Sequence, residues 1–376
     1  MYSFLLTLGG LFLGIGVGCA AANTELPDKR FKPGAAIWPD TDGNHIIAHG
    51  GGILEHDGVY YWYGEQRRDE RFGNAVRVYS STDLYTWTNH GAVINHVDVF
   101  PDSILERPKV IYNEATDKFV MWWHQELPGL KYEAARTAVA TADSPLGPFT
   151  FIRSFRPNVG RLPINAPIKS IRDRDEWVEL VEAAGEWPYN AAAGSAFLRD
   201  LPIGQMARDL TLYKDDDDTA YLIFSSEENQ TLHVAELDED YTNFTGRFSR
   251  ALPGGQNEAP AIWKHDGKYY MIASGLTGWA PNAARSHVAG SLLGEWTPLG
   301  NPMRGGPNPH NGLGPDLTFG AQSTFVLPIG EDRFLAMFDV WTPEEGLNKS
   351  RYVWLPIEMD GGRPIIDWRD EWSLEE

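Results

Sequence analysis

One short pattern occurs five times in this chain and limits the fold more than any other feature. A strand-like run, a polar turn and a second apolar run appear as GGILEHDGVYYWYGE (51–65), PKVIYNEATDKFVMWWHQE (108–126), LTLYKDDDDTAYLIFSSEE (210–228), PAIWKHDGKYYMIASG (260–275) and STFVLPIGEDRFLAMFDVW (323–341). Apolar runs joined by Asp-Gly or similarly polar turns are β-hairpin signals. Each copy is followed by another pair of strand-like segments, at 76–91, 135–152, 231–249, 284–300 and 350–368. Five hairpin pairs make five four-stranded sheets. Such sheets repeated about an axis build a β-propeller, whose radial packing protects the sheet edges. The spacing therefore predicts an all-β, five-bladed propeller over residues 33–376. The acidic run 215–218 falls at the turn of the third copy and reads as turn chemistry.

Residues 153–206 fit no repeat and exceed an ordinary loop, so they read as a lobe inserted between blades two and three. A helix is expected there over DRDEWVELVEAAG (173–185), and the Ala-rich loop 191–195 is placed to close one side of a pocket. At the N-terminus an apolar stretch from Phe4 to Val17 precedes small residues, which reads as a secretory signal over 1–22. GVGCAA around Cys19 resembles a bacterial lipoprotein box, with Gly16 where a larger aliphatic residue is usual, and cleavage after Ala20–Ala22 fits equally well. A secreted, periplasmic or outer-surface protein is expected, touching membrane only through a lipid at Cys19. Cys19 is the one cysteine, so an internal disulfide and a cysteine-based metal site are excluded. The net charge of −20, from 52 acidic against 32 basic residues, repels phosphate backbones and sets nucleic-acid binding aside.

Repeat phase then predicts which polar residues meet. The innermost strands of a propeller line a central channel and begin at one end of it, where small ligands bind. At or just before the five innermost strands stand HGGG (49–52), LERP (105–108), ARDL (207–210), NEAP (257–260) and AQST (321–324). Glu106, Asp209, Glu258 and Gln322 thus share one phase in four sheets. The returning strands bring Glu65, Glu126, Glu227 and Asp339 to the same end, with Thr277 and Trp279 following in LTGW. Gathered carboxylates repel one another, which raises some pKa values and keeps an acid protonated for proton donation. The same carboxylates also suit strand caps or a structural cation in the channel, and the pattern calls for no cofactor. No GxGxxG, P-loop, HExxH or GxSxG motif is present, which removes nucleotide, zinc-protease and serine-esterase chemistry. An oligo- or polysaccharide substrate fits what remains. Glycoside hydrolysis needs a protonated carboxyl for the leaving oxygen and a group that activates water or attacks carbon. Trp279 offers a face on which a sugar ring stacks.

These residues resemble glycoside hydrolase family 43, a family of five-bladed, inverting glycosidases, through YSSTDLYTW (79–87), ERPKV (106–110), ARDLTLYKDDD (207–217) and NEAPAIW (257–263). Within it the chain is similar to the exo-β-1,3-galactanase-like branch through DTDGNHIIAHGGGI (40–53), YYWYGE (60–65), LTGWAPN (276–282), QSTFVLP (322–328) and RYVWLP (351–356). The resemblance implies that Glu258 is the general acid and that Asp209 tunes its pKa and orients it. Most of the family places an Asp general base at the start of the first blade, where this chain has AHGGGI. In the branch a glutamine is proposed to take that role through its imidic-acid tautomer, and Gln322 matches it. Glu65, Glu106, Tyr132 and Thr277 match sugar-contacting positions. An amide is a weak base, so the residues themselves also allow Gln322 to hold the water while Asp339 or Glu65 takes the proton.

The expectation is an inverting exo-enzyme that removes terminal galactose from β-1,3-galactan of the arabinogalactan type. Alternatives are an α-L-arabinofuranosidase or β-D-galactofuranosidase of the same family, and a carbohydrate-binding propeller without catalysis, since the first-blade Asp is missing. A phosphorylase needs a basic phosphate site, and its candidates Arg107 and Arg208 sit beside acidic residues.

Overall fold

The computed structural model describes residue 1, residues 29–165 and residues 194–376. The signal segment, Cys19 and the helix expected over 173–185 fall outside the described residues.

The five sheets form as the repeats require. Blade one holds β1 (His49–His56), β2 (Val59–Gln66), β3 (Ala75–Ser81) and β4 (Thr88–Asn95), and blade two holds β5 (Ile104–Asn113), β6 (Lys118–Glu126), β7 (Arg136–Ala142) and β8 (Thr150–Phe155). Blade three has β9 (Leu210–Lys214), β10 (Ala220–Ser226), β11 (Thr231–Leu237) and β12 (Phe244–Ala251), and blade four β13 (Asn257–His265), β14 (Lys268–Gly275), β15 (Arg285–Ala289) and β16 (Trp296–Gly300). A two-residue strand, β17 (Met303–Arg304), runs parallel to the outermost strand of blade five, which comprises β18 (Gln322–Pro328), β19 (Phe334–Val340), β20 (Arg351–Asp360) and β21 (Arg363–Asp367). The other paired strands are antiparallel neighbours in sequence, as hairpin connections dictate. Local chemistry sets the inner turns: Asp57 and Gly58, like Asp266 and Gly267, all take positive φ, the geometry of a type I′ hairpin.

Around the axis β1 neighbours β5, β5 neighbours β9, β9 neighbours β13, β13 neighbours β18, and β18 returns to β1. The core is split into layers between adjacent blades. Trp62, Trp87 and Trp354 fill the seam of blades one and five, while Tyr63, Trp123 and Phe149 fill that of blades one and two. Trp122, Phe224 and Phe248 pack between blades two and three, and Leu232, Ile262 and Met271 between three and four. Each fully buried large side chain contributes roughly 1.5–3 kcal/mol of transfer free energy, so the blades are bound to one another mainly by these seams. The ring is locked by the chain ends: Phe31 pairs with Trp372, and the Gly34 N–H donates to Tyr352 O at 2.7 Å.

The stretch outside the repeat is tied to the propeller where it is described. Strand β8 runs on through Phe155, so blade two takes up the first residues of the segment assigned to the insertion from 153. At its far end a short helix, Ser195–Asp200, buries Phe197 and Leu198 in the seam of blades two and three.

Candidate active site

A β-bulge at one register builds the mouth. On β1, β5 and β13 the pairing slips after His49, Glu106 and Glu258, and the next residue turns left-handed: Gly50 has φ 56°, Arg107 φ 51° and Ala259 φ 53°. A bulge re-aims the side chain beside it. Here it turns Glu106 and Glu258 to the channel mouth. For Arg107 and Ala259 the left-handed backbone costs about 1–2 kcal/mol each. Asp209 stands just before β9 and extends its ladder, because Ser225 N–H donates to Asp209 O at 2.9 Å.

The resulting pocket, with a volume of about 190 Å³, brings together Glu65, Glu106, Tyr132, Asp209, Glu258, Trp279 and Gln322. Glu258 Oε1 accepts a 2.6 Å hydrogen bond from Asn229 Nδ2. Burial first, then the negative charge of Asp209, pushes the Glu258 carboxyl up to about 8 against the pull of Arg107 and Asn229. It is therefore protonated at neutral pH and able to donate. Asp209 is held on both oxygens: Oδ1 pairs with Arg107 Nε at 2.9 Å, and Oδ2 accepts the Ala259 N–H at 3.2 Å. The second of these ties Asp209 to the backbone of the residue following Glu258.

Asn229 reaches Glu258 from a costly turn. Glu227, Glu228 and Asn229 are consecutive left-handed residues, at φ 54°, 58° and 60°. Glu227 anchors them: fully buried, it receives Arg250 Nε and Nη2, both at 2.6 Å, and pairs with His233 at 2.9 Å. So Glu227 does not face the pocket but holds the turn beneath it. Glu126 does the same for the Tyr132 loop, accepting the N–H groups of Ala134 and Ala135 at 3.0 Å each.

On the opposite wall one arginine joins two carboxylates. Arg67 Nε lies 2.6 Å from Glu65 Oε2, and its Nη2 donates to Glu106 Oε1. Glu106 also accepts Tyr132 Oη at 2.8 Å and pairs with His124 Nδ1 at 2.8 Å. Burial alone would raise Glu106, but Arg67 and His124 hold it well below the usual carboxylate range. In return Glu106 lifts buried His124 to about 9 against the desolvation that would lower it. Glu65 is pushed up to about 7 by its burial and by the Glu106 charge, despite Arg67.

Two expected residues stand off the wall. Asp339 pairs in register with Gln322, but its Oδ2 accepts the Gly50 N–H at 2.5 Å; sealed there, its carboxyl is pushed up to about 7 by burial. Although Asp339 shares the sheet face of its partner Gln322, its bond to the Gly50 N–H holds the carboxyl against β1 and out of the pocket lining. Thr277 lies in the exposed turn after β14, where its Oγ1 donates to Ala280 O at 2.6 Å and accepts from Asn282 Nδ2 at 2.7 Å. That hydroxyl shapes the loop that carries Trp279, and Trp279 packs edge-on against Trp341 at 5.4 Å. Arg67, His124, Asn229 and Trp341 also line the pocket. Sequence reasoning passed over them, and only repeat phase at the ends of β2, β6, β10 and β19 could have singled them out.

Glu106, His124 and Asp209 place ligand-type atoms within 4.8 Å of one another. Arg67 pairs with Glu106, and Arg107 with Asp209. Deeper in the channel Lys109, fully buried, donates its Nζ to Gly50 O at 2.7 Å.

The family model for glycosyl hydrolases family 43 matches residues 179–314. The chain is similar to the family 43 β-1,3-galactosidase BT3683, solved with galactodeoxynojirimycin, at 47% identity and a TM-score of 0.81 over 92% of this chain and 100% of that one. It is also similar to the exo-β-1,3-galactanase 1,3Gal43A from Clostridium thermocellum, at 33% identity and a TM-score of 0.73, with 92% of this chain covering 66% of that one. A curated β-D-galactofuranosidase, xynD of Aspergillus niger, is 31% identical over 98 residues, which span 26% of this chain and 28% of that protein.

Proposed function

The chain belongs to glycoside hydrolase family 43, and from that membership we propose that it is an inverting, exo-acting glycosidase that releases terminal galactose from β-1,3-linked galactan, such as arabinogalactan chains. The observation that carries this reading is a protonated carboxyl, Glu258, buried beside the Asp209 charge in a pocket walled by carboxylates and by Tyr132, Trp279 and Trp341. Similarity over the whole length of a β-1,3-galactosidase supports the substrate. The galactofuranosidase likeness covers only a quarter of the chain and favours no second reading.

In this mechanism the terminal galactose enters the pocket with its glycosidic oxygen toward Glu258. Glu258 gives that oxygen its proton as the C1–O bond breaks, and a water on the Gln322 side adds to C1 from the opposite face and loses a proton. Asp209 raises the proton affinity of Glu258 before the step and is itself fixed by Arg107 and the Ala259 N–H. Retention would need a carboxylate nucleophile. The fifth-blade group in phase is an amide, and Glu65 and Glu106 are both held by Arg67, which supports inversion. Two acceptors stand on the water side of the wall: Gln322 through its imidic-acid tautomer, and Glu65, whose carboxyl titrates near neutrality. Gln322→Glu separates them, since a carboxylate there restores an ordinary base, whereas Glu65→Gln abolishes turnover only if Glu65 takes the proton. The export signal at 1–22 supports action outside the cytoplasm.

The deciding experiment follows the anomeric signal of sugar released from a β-1,3-galacto-oligosaccharide by NMR. First release of α-galactose from the chain end is expected. Release of β-galactose, of internal fragments, or of sugar from galactofuranosides alone would overturn the reading.

A further inference from the structure

The orientation of the Gln322 amide follows from its partners. Gln322 Oε1 faces Arg107 Nη2 at 2.5 Å and Trp341 Nε1 at 2.8 Å. Guanidinium and indole N–H groups donate and never accept, so the atom between them must be the oxygen. On the other side Gln322 Nε2 donates to Ser274 Oγ at 2.9 Å. One N–H of the amide remains for the pocket that Gln322 lines. A flipped amide would set two donors against two donors.

The same guanidinium reaches the acid side of the site. Arg107 Nε pairs with Asp209 Oδ1 at 2.9 Å, its Nη1 donates to Ser323 O at 3.1 Å, and its face lies 5.7 Å from the Trp341 ring. Every nitrogen of the fork therefore has a separate acceptor, an arrangement a point charge cannot reproduce. The bulge aims Arg107 inward, and Gly50 makes the room: a Cβ there would lie 3.1 Å from Arg107 Cγ and 2.5 Å from Glu65 Oε1. The absence of a first-blade carboxylate side chain and the presence of this arginine are thus two sides of one packing solution.

We propose that Arg107 is a positioning residue, whose single guanidinium bridges Asp209 and Gln322, fixes the Gln322 nitrogen toward the pocket, and keeps the proton-donating and water-holding edges of the site in register. The inference rests on the glycosidase reading for its kinetic consequence, not for its geometry. A water on that side meets the Gln322 nitrogen and gives no proton to the amide oxygen, which already accepts from Arg107 and Trp341.

Two variants separate fork from charge. Arg107→Lys keeps the positive charge but cannot hold both acceptors; kcat on β-1,3-galactobiose should fall about 100-fold, the scale of a 1 Å misplacement, with the alkaline limb of its pH profile unmoved. Arg107→Met removes the charge as well. The groups facing Glu258 are Asp209, Arg107, Asn229 and Arg208, and losing Arg107 leaves the Asp209 charge unopposed, so the alkaline limb should move up by about one pH unit. Should Arg107→Met not fold, Trp341→Phe, which removes only the indole donor to Gln322, should lower kcat without moving the limb. Arg107→Lys with kcat within about threefold of the parent, or equal losses at every pH accompanied by a lower melting temperature in all variants, would overturn the proposal. A readout independent of substrate guards against failure of the glycosidase reading. In protein labelled with ¹⁵N-glutamine, the Gln322 side-chain pair, identified by its loss in Gln322→Glu, should shift in Arg107→Lys; an unmoved pair overturns the clamp even if the parent releases no galactose.

Discussion

Replacing Asp209 with asparagine should weaken the enzyme most at neutral pH and less in acid. Asp209 is the negative charge acting on Glu258, and after burial it is the largest influence raising that carboxyl to about 8. At pH 7 a group with that pKa is about nine-tenths protonated. Asp209→Asn removes the charge and also frees Arg107, whose Nε it neutralises at 2.9 Å, so both changes favour ionised Glu258. Loss of a like charge and gain of an opposite one at such range move a pKa by about 1–2 units. The alkaline limb of the kcat/KM profile should therefore fall to about 6–7, the protonated fraction at pH 7 to between about one half and one tenth, and activity by about 2- to 10-fold from protonation alone. A second, pH-independent loss is expected because Arg107 Nε and the Ala259 N–H bind different oxygens of Asp209, and asparagine replaces one of those oxygens with an NH₂ that cannot accept. The assay is the rate of galactose release from β-1,3-galactobiose between pH 4 and 10. The ratio of variant to parent should climb toward a plateau below pH 5. An unmoved or upward-shifted limb, or one constant ratio at every pH, would refute the assignment of Glu258 as the acid tuned by Asp209.

Glu258→Gln should lower kcat by about 10²–10⁴-fold while leaving binding of a galactose-shaped iminosugar within severalfold, measured by calorimetry. Because the folded-state pKa of Glu258 is raised, the folded protein loses stability as pH rises from about 4.5 through about 8, so the same variant should be no more stable at pH 4 yet more stable by about 1–3 kcal/mol at pH 9 in denaturant titrations. Gly50→Ala meets Glu65 Oε1 and Arg107 Cγ and forces a Cβ into a left-handed backbone; a loss of about 1–3 kcal/mol is expected, and Gly50→Asp, which puts back a first-blade carboxylate, should fail to restore an ordinary base. Dialysis against a chelator should change neither melting temperature nor turnover, since Arg67 and Arg107 already neutralise Glu106 and Asp209.

What the sequence alone determined is the architecture and the neighbourhood. Hairpin spacing specifies five sheets because side-chain alternation and turn chemistry are local: the Asp-Gly turns at 57–58 and 266–267 need only their own backbone to form. Repeat phase then places Glu106, Asp209, Glu258 and Gln322 at one mouth, since strands that begin at the same level of a propeller end in the same place. The tertiary structure decided which of these side chains are charged, which are clamped, and which reach the pocket at all. Asp339 shares the phase of the other returning-strand carboxylates yet bonds to the Gly50 N–H behind the wall, and Thr277 serves its own turn. Arg107 and Asn229 owe their places to left-handed backbone, one at a bulge and one at the end of a three-residue turn braced by Glu227 and Arg250. Such conformations are disfavoured by the residues' own propensities and persist only because distant groups hold them. Strand pattern is a short-range property that one chain segment carries by itself; electrostatics and strain are sums over neighbours that only the closed ring brings together.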